Sequence, residues 1–79
     1  MDCNSYSYTN TRNSREIIAC TDSEYPNLGV TLTKETNWFN ETSYWVEDYE
    51  RDIAVGYNPY DYDRAVAHYN EIVEPKYRI

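Results

Sequence analysis

The chain has 79 residues, with 14 acids against 7 bases and a net charge of −7. That length makes one small domain, residues 1–79, and at this size only about 60% of the unfolded surface can be buried, so the core must be modest. The acid excess argues against a binder of nucleic acid or of anionic membrane, since those surfaces need a basic footprint; a charged partner of this chain should itself be basic.

Ten of the aromatic residues are tyrosines. Without them the apolar set is small, so the core is expected to use tyrosine rings with their hydroxyls bonded or at its edge. No apolar run approaches the roughly 20 residues that span a bilayer. The sequence shows no charged-then-apolar leader, so the expectation is a cytoplasmic protein, in the host cell if phage-encoded. Cys3 and Cys20 are too few for a disulfide framework. They are expected as free thiols of a reducing compartment, a single bridge between them being the alternative.

Residues 1–14 are rich in Ser, Asn and Thr, a composition that favours turns and loose backbone. Tyr6 and Tyr8 alternate with serines, as in a short edge strand. Arg15 to Thr21 reads as a strand around Ile17, Ile18 and Ala19. Asp22 to Gly29 is a loop of turn-forming residues. Val30 to Thr33 is a second strand, with Val30 and Leu32 on one face and two threonines on the other. The eight-residue connection is too short for a crossover helix, so these strands pair antiparallel. Lys34 to Glu41 reads as a polar connection whose Trp38 and Phe39 cap the core.

Thr42 to Tyr49 and Asp52 to Tyr57 form two further strands, joined by a turn at Tyr49-Glu50-Arg51-Asp52. Alternation places Tyr44, Val46 and Asp48 on one face and Trp45, Glu47 and Tyr49 on the other. A helix follows over 58–74. Asn58 has the character of an N-cap, Pro59 suits the first helical position, and Asp61 and Asp63 sit where the dipole favours anions. Tyr62, Ala65, Val66, Tyr69, Ile72 and Val73 fall on one stripe, and Pro75 closes the helix. The fold class is therefore α+β: an antiparallel sheet of about four strands with one C-terminal α-helix packed on one face. The other face is left with aromatic and acidic side chains.

No constellation supports catalysis, and no enzyme is expected. His68, the one histidine, lies beside the helix stripe, and no motif supplies it with a nucleophile or an orienting acid. Asp48, Glu50 and Asp52 alternate like the start of a calcium loop, but Ile53 stands where the glycine belongs and Pro59 where the final glutamate belongs. Two cysteines and one histidine have no zinc spacing, so neither metal nor cofactor is expected.

The concentrated feature is Glu41 to Asp63, where seven acids face one base, Arg51, and six rings are threaded among them. A charged face often does no more than keep a protein soluble. Here charge and rings coincide in under a third of the chain, which favours a protein interface: rings give contact area and carboxylates steer a basic partner. The expected partner-binding residues are Tyr44, Trp45, Glu47, Asp48, Tyr49, Glu50, Asp52 and Tyr60. Reversing Glu47, Asp48 and Glu50 to lysine is expected to abolish binding and leave the fold intact.

In size and composition the chain resembles the small acidic proteins that phages use against host defences, the anti-CRISPR proteins and restriction-inhibiting DNA mimics. The resemblance covers the whole chain at the level of composition and carries no residue role. It implies an inhibitor whose carboxylates, Asp61 and Asp63 included, stand in for backbone phosphates before the lysines and arginines of a CRISPR effector or another nucleic-acid-binding host-defence protein. The alternative is a structural or assembly adaptor acting as a homo-oligomer, for instance a homodimer.

Overall fold

The computed structural model describes the backbone of Tyr8, Thr9 and residues 13–79, and side chains from Asn13 onward. The chain builds an antiparallel meander with one helix on it. The strands are β1 (Tyr8–Thr9), β2 (Asn13–Cys20), β3 (Val30–Asn37), β4 (Thr42–Asp48) and β5 (Ile53–Tyr57), in spatial order β1-β2-β3-β4-β5. The helix α1 (Tyr62–Ile72) follows. The α+β class with a C-terminal helix is as the sequence indicates, with the two-residue β1 added at one edge. Tyr6 lies outside the described residues.

Helix and sheet meet through Ala65, Tyr69 and Val73 of the helix side and Ala19, Val30, Leu32 and Val46 of the strands, all buried. Ile18, Tyr44, Tyr57, Val66, Ile72 and Tyr77 pack around this centre half-buried, so tyrosine rings do extend the core. Tyr62 is the exception on the stripe: it is exposed, with its ring 4.9 Å from that of Tyr44. A register shift between Ile17 and Ala19 makes a bulge in β2. It lets consecutive Ile18 and Ala19 both reach the helix side, where strict alternation would send one of them away.

β2 begins at Asn13, within the segment expected to be loose, and three further boundary differences each have a local reason. First, β3 continues through Lys34, Glu35 and Thr36 to Asn37. Lys34 stands opposite Glu16, and Glu35 opposite Arg15, whose guanidinium bonds it at 3.2 Å, so pairing with β2 continues through a stretch that composition alone marks as a loop. Second, the helix starts at Tyr62 and not at Asn58. The Asn58 carbonyl accepts from Asp61 N at 3.0 Å and its side chain accepts from Tyr60 N at 2.9 Å, closing a separate turn that contains Pro59. Third, the helix ends at Ile72, and Pro75–Tyr77 form a separate 3₁₀ turn. Glu74, ahead of the proline, is extended, as the ring requires.

Candidate recognition surface

The sheet face away from the helix is not an open aromatic surface. Its centre, Thr31 and Thr33, is buried, Thr33 completely at 0% exposure. Arg15 spans this face. Its guanidinium bonds Glu35 at 3.2 Å and forms a close ion pair with Glu47, which also accepts a 2.7 Å hydrogen bond from the Tyr49 hydroxyl. Burial works against the charge on Arg15, but Glu47, with Tyr49 and Glu35, outweighs it and raises the guanidinium further above its ordinary value. Burial and the bond to Glu47 raise the Tyr49 phenol in turn.

This cluster, together with β-sheet alternation, divides the expected partner-binding residues. Glu47 is neutralised by Arg15. Asp48, on the helix side, is buried; its carboxylate accepts from Arg51 N at 3.2 Å and pairs with the Arg51 guanidinium at 2.9 Å. It organises the β4–β5 turn. Trp45 is half-buried, donates from Nε1 to Ser43 Oγ at 3.0 Å, and lies over Gly56, where an added Cβ would come within 3.0 Å of the ring. Tyr44 is half-buried against the helix. Glu50 and Asp52 are exposed at the turn, Tyr49 is partly exposed beside them, and Asp52 holds a left-handed backbone with φ of 56°. Tyr60, 95% exposed, lies in the 58–61 turn, at the other end of β5. The structure thus brings Tyr49, Glu50 and Asp52 together and separates Tyr60 from them by the length of the strand.

At that far end stands a pair that sequence reasoning assigned to core capping. Trp38 and Phe39 are 68% and 65% exposed, with ring centroids 4.3 Å apart. The reason is Asn37, whose side chain accepts from Phe39 N at 2.9 Å and Glu41 N at 3.0 Å. With Asn40 at a φ of 62°, this closes a tight β3–β4 turn that throws both rings outward. The Asn residues flanking the rings were the available signal for a turn tip. Beside it, Asn13, Glu35, Thr36, Asn37, Glu41 and Ser43 line a polar depression of about 180 Å³.

The expectation of free thiols is corrected: Cys20 is disulfide-bonded, and Cys3 lies outside the described residues. Two cysteines are enough for one covalent tie, and a domain with a core this small gains from it. His68 receives or donates a 2.8 Å hydrogen bond with the Tyr57 hydroxyl through Nδ1. Among the described residues, no group of three or more His, Cys, Asp or Glu could hold a metal, and no helix is long and apolar enough to cross a membrane. No protein-family model, curated protein or solved structure matches the chain.

Proposed function

We propose that the protein is a small acidic inhibitor of a basic nucleic-acid-handling protein, of the anti-CRISPR or anti-restriction kind, acting in the host cytoplasm. The observation that supports this reading is the β4–β5 turn. Glu50 and Asp52 are exposed there with the partly exposed Tyr49 ring, while Arg51 in the same turn, its side chain 68% exposed, pairs with the buried Asp48 carboxylate. A chain of net charge −7 then presents two carboxylates and a ring, with the local cation paired to a third carboxylate, that of Asp48. Such a surface suits lysines and arginines that otherwise hold phosphates. Tyr60 belongs to a second contact at the opposite end of β5.

The test is competition. CRISPR effectors and restriction nucleases are titrated with the protein in the presence and absence of DNA. Binding that weakens with salt, competes with DNA and falls in Glu50→Lys combined with Asp52→Asn supports the reading; binding that ignores both salt and DNA removes it. Asparagine is used at position 52 because the left-handed backbone there disfavours lysine. A second reading, an adaptor working as a homo-oligomer, is favoured by the character of β5 as an edge strand.

A further inference from the structure

The two edges of the sheet are unlike. At one edge β1 has two residues, too short to template another strand. At the other, β5 has five residues, Ile53-Ala54-Val55-Gly56-Tyr57. It pairs with β4 residue for residue from Asp48↔Ile53 to Tyr44↔Tyr57, with no bulge. It contains no lysine, no proline and no charge of any kind. These are the devices by which edge strands are normally kept from pairing, and β5 has none of them. Ile53 is 49% exposed, and Ala54 and Gly56 are exposed as well.

We propose that β5 is a dimerisation edge, pairing antiparallel with β5 of a second copy of this chain about a two-fold axis at Val55. The sequence of the strand is complementary to itself in that register. Val55 meets Val55 of the partner subunit. Ile53 meets the partner's Tyr57, a β-branched residue against an aromatic ring, which is among the better cross-strand pairs. Ala54 meets the partner's Gly56, so small residues face each other on the side where Trp45 lies over Gly56. Continuing outward, Asp52 comes opposite the partner's Asn58, so no like charges face one another across the axis. The two-fold axis stands perpendicular to the sheet. The two sheets therefore join into one, and both helices stay on the same face. Isologous pairing of this kind is the commonest route to a closed homodimer.

A second copy is favoured over an extended segment of another protein because in this register the two larger residues Ile53 and Tyr57 meet, the small Ala54 and Gly56 meet, and no like charges oppose each other. The inference bears on the adaptor reading and is testable apart from the inhibitor reading, since Tyr49 and Glu50 of the β4–β5 turn lie outside the paired register, in which Asp52 comes beside the partner's Asn58.

The experiment is sedimentation equilibrium on the full chain across micromolar to millimolar concentration, at low and high salt. The expected result is a reversible shift from monomer to twice the monomer mass, stronger at high salt, because two chains of −7 repel and salt screens that repulsion. Inhibitor binding would show the opposite salt trend, so the failure of one proposal is visible apart from the other. Val55→Lys places two ammonium groups on the axis, and it should raise the dimer midpoint by about tenfold or more. Val55 is half-buried, so circular dichroism must show the variant folded; Ala54→Lys, at an exposed position, is the second variant and should weaken the dimer likewise. In a Trp38→Phe background, Trp45 emission should change with concentration as the partner's Ala54 approaches the ring. A monomer at every concentration and salt overturns the proposal. So does a dimer indifferent to both lysine variants.

Discussion

The Tyr57 hydroxyl stands 2.8 Å from Nδ1 of His68 and joins the edge strand β5 to the helix. Both rings also meet edge to face, with centroids 5.9 Å apart. Tyr57→Phe keeps the ring and removes the hydrogen bond, leaving a half-buried imidazole nitrogen without that partner. The expected loss is about 1 kcal/mol in urea denaturation. His68→Ala should cost a similar amount or more, and the double variant should cost less than the sum. Full additivity would show that the contact contributes nothing.

The buried position of Asp48 changes what a charge-reversal experiment means. Asp48→Lys would put an ammonium group in a site that holds a carboxylate bonded to Arg51, and Glu47→Lys would set it against Arg15. The triple reversal of Glu47, Asp48 and Glu50, which composition marks as harmless to the fold, is instead expected to unfold the domain. Glu50→Lys alone should shift stability by no more than about 0.5 kcal/mol. Thermal melts of the two variants side by side give the answer.

The contrast between Glu47 and Glu50 shows what was legible. Alternation placed Glu47 with Trp45 and Tyr49, and Asp48 with Tyr44 and Val46, correctly by face. Nothing in the local sequence shows that Arg15, 32 residues away, reaches across the sheet to Glu47. The β3 extension was hidden for the same reason: Lys34 and Glu35 pair with β2 on one side and β4 on the other, and Glu35 bonds Arg15, partners that local composition does not show. The helix stripe, by contrast, is a local pattern, and Ala65, Tyr69 and Val73 are buried as their spacing indicates. The edge character of β5 needed the strand order, which pairing determines and composition does not.

Trp38 and Phe39 give a sharp test of the two accounts of that turn. Rings that capped the core would cost about 3–5 kcal/mol on truncation. Exposed as they are, Trp38→Ser and Phe39→Ser should each change stability by about 0.5 kcal/mol or less, with a gain in solubility. Val46→Ala, in the buried centre, should cost clearly more and serves as the internal control. Chemical denaturation midpoints separate the cases.

The bond at Cys20 predicts a redox dependence. Protein purified without reductant should react with no thiol reagent until reduced, as read by intact mass before and after alkylation. Reduction should then lower the melting temperature, with a loss of about 2–4 kcal/mol typical for a native disulfide. The compartment follows from the same measurement on protein taken directly from cells. A bond found intact in cytosolic material would be unusual, since cytosol keeps thiols reduced. A bond that forms only on export would move the site of action out of the cytoplasm.

Alkaline pH should reach the core through Tyr69. Its ring is completely buried, its hydroxyl donates to the Tyr77 carbonyl at 3.0 Å, and burial together with the nearby Tyr77 pushes its phenol up to about 12. The folded value lies above the unfolded value of about 10. The unfolded chain therefore gives up this proton first as pH rises. The associated stability is whole below pH ~10 and is lost progressively as pH climbs toward about 12. Tyr69→Phe lacks the titrating group, so its stability should be lower at neutral pH, through the lost hydrogen bond, and flatter above pH ~10. Equal alkaline slopes in the two proteins would mean that another phenol, Tyr49 being the next candidate by its raised value, governs the transition.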